Sequence, residues 1–219
     1  MEEAMKVLKQ CIRDKANQLR EFWFDVDGVM TPQGAVTIYD VRNEKGLVGF
    51  ERNDGVNSIR LVPCDENGTP LINVVEYVAG IIGESIMEGY RFDPRDGKVV
   101  EYLVQYGYPV YFISGRNSPC VMKRAKALGA KPFLGVKDKL TFMREHIACS
   151  LDEVFFVGDG IQDVEALTAC GLTVAPADAS PEAIQAADCI TASRGGEGVI
   201  SEIITLFLKE KGLWPTETT

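Results

Sequence analysis

Short apolar runs recur along this chain, and each is followed by a stretch that can form an amphipathic helix. The runs are EFWFD (21–25), PVYFIS (109–114), EVFFVGD (153–159), GLTVA (171–175) and DCIT (188–191). Runs that are continuously apolar, without alternation, are typical of parallel strands covered on both faces. The pattern therefore predicts a doubly wound, Rossmann-like α/β sheet, with helices over 96–106, 118–128, 138–147, 162–170 and 180–187.

Residues 31–91 interrupt this alternation. The segment has the turn sequences NDG (53–55) and ENG (66–68) among β-type runs, which are AVTIYD (35–40), NSIRLV (57–62), LINVVEYV (71–78) and ESIMEGYRF (84–92). Turn residues between such runs are typical of antiparallel hairpins. We predict a core formed by 1–30 and 92–219, with 31–91 as a β-rich flap or cap-like insertion after the first strand. Such an insertion can close its own site, close a neighbour's site, or be a surface elaboration.

The charge balance narrows the range of partners. The chain has 23 Lys and Arg against 32 Asp and Glu, a formal net charge of −9, and its sequence has no local basic patch. An acidic surface repels phosphate backbones and anionic lipids, which argues against nucleic acid and membranes as partners. The first twenty residues carry charges at almost every turn and lack the apolar segment of a secretory signal. We expect a soluble, cytoplasmic protein.

Three of the apolar runs end in polar residues that could act together. Asp25 and Asp27 close the first run, Ser114 closes PVYFIS, and Asp159 and Asp163 come at and after the end of EVFFVGD. Ligands of open α/β sheets bind beyond the carboxyl ends of the strands, so these residues are expected to converge. Carboxylates gathered in one cleft repel one another, and a hard divalent cation such as Mg²⁺ relieves that repulsion through oxygen ligands.

The sequence DVDGVMT (25–31) indicates which reaction these carboxylates could carry out. Asp25, at a strand end, can attack phosphorus, and Asp27 can protonate the leaving oxygen. A phosphoryl group can be held by Ser114, by the backbone N–H groups of the following turn at Gly115, and by Lys139 at the start of a predicted helix. These residues predict phosphoryl transfer through an aspartyl-phosphate to water.

Four motifs in this order carry a family resemblance: DVDGVMT, ISGR (113–116), GVKDKL (135–140) and VGDGIQD (157–163). They resemble the haloacid dehalogenase superfamily, and within it the phosphatases of 3-deoxy-manno-octulosonate 8-phosphate and 2-keto-3-deoxynononate 9-phosphate. RFDPRDG (91–97) and RGGEGVISE (194–202) are similar to further motifs of that family, with the nine-carbon branch as the nearer match. The resemblance covers residues 20–31 and 88–210.

The resemblance implies a role for each matching residue. Asp25 matches the nucleophile, and Asp27 matches the general acid/base, whose main-chain carbonyl is also a metal ligand. Ser114 and Lys139 match the phosphate-binding residues, with Lys137 as the alternative lysine. Asp159 matches a metal ligand, and Asp163 matches an acid that acts on the metal directly or through water. The residues at positions of substrate contact are Thr31, Arg95, Arg116 and Arg194.

The resemblance also implies a Mg²⁺ cofactor, a small phosphorylated sugar acid as substrate, and a homo-tetramer. Two departures remove positive charge, because Ser201 stands where the family has Arg and Glu101 stands where the octulosonate branch has Lys. Gly160 stands where the family often has a second Asp. The lost charges leave a phosphatase of a neutral sugar phosphate or nucleotide as the alternative. A non-catalytic binding or scaffold protein is a further alternative.

Overall fold

The computed structural model describes residues 2–32, 50–52, 59–61 and 92–215. The chain divides into two units, Met1–Gly34 with Arg91–Thr219, and Ala35–Tyr90. In the second unit, β2 (Phe50–Arg52) pairs with β3 (Ile59–Leu61) in antiparallel register. Strand β3 lies within the predicted run 57–62, whereas most of the runs at 35–40, 71–78 and 84–92 lie outside the described residues. The insertion boundaries at 31 and 91 therefore stay a prediction.

Six strands of the first unit form one sheet in the order β5-β4-β1-β6-β7-β8, with every neighbouring pair parallel. Their bounds are β1 Glu21–Asp25, β4 Val110–Ser114, β5 Lys131–Leu134, β6 Val154–Val157, β7 Leu172–Ala175 and β8 Cys189–Ile190. The five predicted strands are all present, which confirms the α/β sheet. Strand β5 was not among the predictions.

Seven α-helices connect and cover these strands in the described part of the chain. They are α1 Glu2–Lys15, α2 Pro94–Gln105, α3 Pro119–Ala127, α4 Lys139–His146, α5 Val164–Ala169, α6 Pro181–Ala186 and α7 Val199–Glu210. The five predicted helices are confirmed to within about two residues at each end, and α1 and α7 were not predicted. No helix among the described residues is long and apolar enough to cross a membrane.

Side-chain hydrogen bonds mark where several helices begin. Asp93, Ser118, Asp138 and Ser180 each accept a backbone N–H of the first turn, at the starts of α2, α3, α4 and α6. These short polar side chains satisfy N–H groups that have no partner within the helix. The same bonds fix where the first helical residue stands. For α4 that residue is Lys139.

Strand β1 is the centre of the core and is buried along its whole length. On one face Phe22 packs against Phe155 and Phe207, with ring centroids 5.6 and 4.9 Å apart. On the other face Trp23 stacks on Tyr111 at 4.2 Å, and its indole N–H donates to Glu21. Because both faces are packed, the carboxyl end of β1 is a rigid position for a functional group.

Candidate active site

The carboxyl ends of three neighbouring strands carry the predicted residues. Asp25 is the last residue of β1, Ser114 is the last residue of β4, and Asp159 stands two residues after β6. Strand β1 lies between β4 and β6 in the sheet, in parallel register with both. The topology therefore brings together residues that are about 135 positions apart in the sequence.

Lys139 lies at the centre of this site and is only 2% exposed. Its ammonium nitrogen is 2.8 Å from Asp25 Oδ1 and 2.5 Å from Asp163 Oδ1. Burial alone would lower the pKa of Lys139, but the two carboxylates outweigh burial and raise that pKa above its ordinary value. The lysine is therefore held as a cation between two acids.

Burial has the opposite effect on Asp25 and raises the pKa of this acid well above its ordinary value. The ammonium of Lys139 opposes this effect, while the carboxylates of Asp163 and Asp159 add to it. Asp25 thus has one cation and two other acids near it, and any further cation in the cluster favours its ionised form.

Lys137 and Lys139, the two candidates for the phosphate-binding lysine, differ in their surroundings. Lys137 is exposed, and its ammonium donates to the carbonyl of Gly115 at 3.2 Å. Lys139 is buried and ion-paired with the predicted nucleophile. The geometry favours Lys139 for a contact inside the cleft and places Lys137 at the rim.

Three carboxylates form a group that could hold a metal ion. Asp25, Asp159 and Asp163 are buried and each offers one oxygen, with these oxygens within 4.8 Å of one another. Hard oxygen donors at this spacing fit a divalent cation such as Mg²⁺. Gly28 makes room for this group, because a Cβ added there would overlap the carboxylate of Asp159.

Asp163 has contacts on both carboxylate oxygens. Its Oδ2 accepts the N–H groups of Asp159 and Gly160 at 3.1 and 3.0 Å, and its Oδ1 pairs with Lys139. These bonds hold the turn that carries Asp159. The arrangement supports an organising role for Asp163, and its action on the metal, directly or through water, stays a prediction.

Asp27 occupies a more open position than Asp25. The Ser114 hydroxyl donates to Asp27 Oδ2 at 3.0 Å and accepts the N–H of Arg116 at 3.0 Å. The other oxygen, Oδ1, accepts no hydrogen bond from the residues that the structure describes and lies 3.7 Å from a guanidinium nitrogen of Arg116. Ser114 and Arg116 thus orient the carboxylate that sequence analysis assigned to proton transfer.

The remaining predicted substrate contacts bond to other parts of the protein. Thr31 is fully buried, and its hydroxyl donates to the carbonyl of Val26. Arg95 pairs with Asp93 at 2.7 Å, and Arg194 lies 3.3 Å from Asp178. Contact of these three residues with a substrate stays a prediction.

Asp96 is a buried acid that the sequence reasoning did not single out. It lies in the first turn of α2 and is 1% exposed, and its Oδ1 accepts the N–H of Ser201 on α7 at 2.7 Å. Its Oδ2 accepts no hydrogen bond among the described residues. Burial raises the pKa of Asp96 to about 7. The sequence signal for Asp96 is the RDG at 95–97, within the motif RFDPRDG.

Comparison with known proteins identifies the family. Residues 137–203 match the family of haloacid dehalogenase-like hydrolases. The 3-deoxy-D-manno-octulosonate 8-phosphate phosphatase of Yersinia pestis is 32% identical over 155 residues, which cover 69% of this chain and 80% of the relative. The chain belongs to that phosphatase family. It is a haloacid dehalogenase-like phosphomonoesterase, which confirms the resemblance predicted from the motifs.

Solved structures share the fold of this phosphatase. A probable YrbI family phosphatase from Pseudomonas syringae has a TM-score of 0.67 and 25% identity, covering 94% of this chain and 93% of its own. The 3-deoxy-D-manno-octulosonate 8-phosphate phosphatase of Moraxella catarrhalis was solved in complex with magnesium, phosphate and KDO. It has a TM-score of 0.66 and 24% identity, covering 92% of this chain and 93% of its own. Both show the same fold.

Proposed function

We propose that this enzyme is a Mg²⁺-dependent phosphatase of a small phosphorylated sugar acid and that it works through an aspartyl-phosphate on Asp25. The carrying observation is the buried contact of Lys139 with Asp25 and Asp163, beside Ser114 and Asp27. A buried carboxylate at the end of a rigid strand, next to a fixed cation, suits a nucleophile that attacks an anionic phosphoryl group.

The residues divide the reaction into two steps. A carboxylate oxygen of Asp25 attacks phosphorus, the bond from phosphorus to the sugar oxygen breaks, and Asp27 gives its proton to that oxygen. Water then attacks phosphorus, Asp27 takes a proton from the water, and the bond between phosphorus and the Asp25 oxygen breaks, which frees phosphate and the Asp25 carboxylate. Ser114, the N–H of Gly115 and Lys139 hold the phosphoryl oxygens in both steps.

The metal would be held by the carboxylates of Asp25 and Asp159 and by the main-chain carbonyl of Asp27. When bound, Mg²⁺ neutralises charge on the phosphoryl oxygens and on the carboxylate cluster. Asp163 keeps the turn at Asp159 in place through its two backbone hydrogen bonds. The support for Mg²⁺ is the all-oxygen donor set.

The proposed substrate class rests on the relatives. The Yersinia pestis relative is a phosphatase of a 3-deoxy sugar-acid phosphate, and the Moraxella catarrhalis structure holds KDO. A neutral sugar phosphate is the second candidate, because Glu101 pairs with Lys98 at 3.3 Å and Ser201 contributes a backbone N–H to Asp96. Neither position therefore offers a cation to a substrate carboxylate.

A panel of phosphate esters tests this proposal. Keto-deoxy sugar-acid phosphates, neutral sugar phosphates, nucleotides and an aryl phosphate are compared with Mg²⁺ present, and the highest kcat/KM is expected for a sugar-acid phosphate. Asp25→Asn is expected to abolish turnover of every ester, whereas Asp14→Asn, on the exposed surface of α1, keeps it. Normal turnover by Asp25→Asn would refute the aspartyl-phosphate mechanism.

We further propose that the enzyme is a cytoplasmic homo-tetramer without nucleic-acid or membrane partners. The acidic net charge of −9 supports the absence of polyanionic partners. Light scattering on the purified protein measures the assembly, and a fully active monomer would overturn the tetramer.

A further inference from the structure

The sequence RGGEG (194–198, the RGGEG loop) lies directly against the segment that follows β1 (25–32, the catalytic loop). The N–H of Gly196 donates to the carbonyl of Val29 at 2.9 Å. A Cβ added to Gly195 would overlap the carbonyl oxygen of Gly28, and one added to Gly196 would overlap the backbone of Pro32. Only residues without a side chain allow the two backbones to approach this closely.

Gly28 also lies close to the carboxylates of Asp25, Asp159 and Asp163, which could hold a metal ion. A Cβ added to Gly28 would overlap Asp159 Oδ2. Gly28 is therefore close to both Gly195 and the carboxylate of Asp159. We expect a displacement of the RGGEG loop to move Gly28. Movement of Gly28 would in turn shift the carboxylate of Asp159 and the backbone at Asp27.

The RGGEG loop is anchored to parts of the protein that carry none of the proposed reacting groups. Arg95 at the start of α2 donates to the carbonyl of Glu197 at 2.9 Å, and Asp93 holds the same guanidinium. Asp178 accepts the N–H of Gly195 at 2.8 Å. The exposed Arg95 thus links the start of α2 to the RGGEG loop.

We propose that the RGGEG loop is a positioning element that sets the place of Gly28 and so the spacing between Asp27 and Asp159, with Gly195 as its central positioning residue. The inference rests on the proposed function. The loop touches neither Ser114 nor Lys139 in the contacts described above. We therefore expect a displacement of the loop to lower the rate of the chemical step and weaken Mg²⁺ binding more than it weakens phosphate binding.

Gly195→Ala tests the inference, with Gly171→Ala as a matched control. In both variants the new Cβ meets a backbone carbonyl oxygen, that of Gly28 in the first and that of Asp152, outside the site, in the second. For an aryl phosphate, Gly195→Ala is expected to lower kcat roughly 10- to 100-fold with little change in KM. Gly171→Ala is expected to lose stability while keeping kcat. A wild-type kcat in folded Gly195→Ala would overturn the inference.

A second readout does not depend on activity. Mg²⁺ raises the Tm of a protein that binds it in the folded state. The Tm increase at a fixed Mg²⁺ concentration is expected to be smaller in Gly195→Ala than in the wild type and unchanged in Gly171→Ala. An equal increase in all three proteins would contradict the link from the loop to Asp159.

A pair of substitutions at Asp178 decides the question if Gly195→Ala does not fold. Asp178→Ala removes the acceptor of the Gly195 N–H, whereas Asp178→Asn retains an oxygen at that position. We expect kcat to fall in Asp178→Ala and to be largely restored in Asp178→Asn, and a wild-type kcat in Asp178→Ala would overturn the inference. A wild type that hydrolyses no phosphate ester would instead refute the proposed function.

Discussion

Replacing Asp96 by Asn should change how stability depends on pH. Asn keeps the size of the side chain and an oxygen that can accept the N–H of Ser201, but it cannot ionise. The ordinary pKa of this acid is 3.8, and burial raises it to about 7 in the folded protein. Asp93 adds to the increase, while Arg95 and Arg124 oppose it.

The direction in which stability changes with pH follows from the pKa of Asp96 in the unfolded and in the folded chain. Below pH 3.8 both the folded and the unfolded chain hold the proton, so Asp96 has no effect of this kind on stability. As the pH rises to about 7, the unfolded chain releases the proton and the folded chain keeps it, so the free energy of unfolding falls. Above pH 7 the loss levels off at about 4 kcal/mol, since one pKa unit corresponds to about 1.4 kcal/mol.

Urea unfolding at pH 5 and pH 8 measures this effect. From pH 5 to pH 8 the free energy of unfolding of the wild type should fall by roughly 2 to 3 kcal/mol relative to that of Asp96→Asn. In thermal unfolding the same difference corresponds to about 5 to 10 °C in Tm for a domain of this size. Asp14→Asn, on an exposed helix surface, is the control and should follow the wild type. Parallel stability profiles for the wild type and Asp96→Asn would refute the reasoning.

Two further predictions concern Lys139 and the carboxylates around it. Lys139→Ala leaves Asp25 and Asp163 buried without their shared cation, so it should abolish turnover and lower the free energy of unfolding by roughly 3 to 5 kcal/mol. Lys137→Ala, at an exposed position, should change that free energy by less than about 0.5 kcal/mol, and urea unfolding compares the two. Removal of divalent metal by EDTA should abolish hydrolysis of an aryl phosphate, and added Mg²⁺ should restore it. Turnover that is indifferent to EDTA would contradict the metal assignment.

The sequence predicted the central part of the fold because the central strands are buried on both faces. In β1, Phe22, Trp23 and Phe24 are all buried, so the strand is a continuous apolar run in the sequence. Strand β5 escaped prediction because it lies at the sheet edge, where Lys131 is exposed and Phe133 is only partly buried. Helix α1 escaped because it precedes the first apolar strand and so lies outside the alternation of strands and helices.

The site could be predicted where its residues follow strand ends. Asp25, Ser114 and Asp159 are placed by the sheet itself, so the order of the apolar runs was enough to bring them together. The sequence placed Lys139 at a helix start, and the structure adds its burial and its ion pair with Asp25. The environment of Asp96 depends on the packing of α2 against α7, and no local pattern encodes it.

The stacking of Trp23 gives the enzyme its own optical probe. The chain has only two tryptophans, and this one lies two residues before Asp25, in contact with Tyr111 and Phe133. An indole in an apolar core emits at shorter wavelength than one in water, and stacked aromatic neighbours alter its intensity. Fluorescence from Trp23 therefore reports when the strand that carries the proposed nucleophile is assembled, without any label near the chemistry.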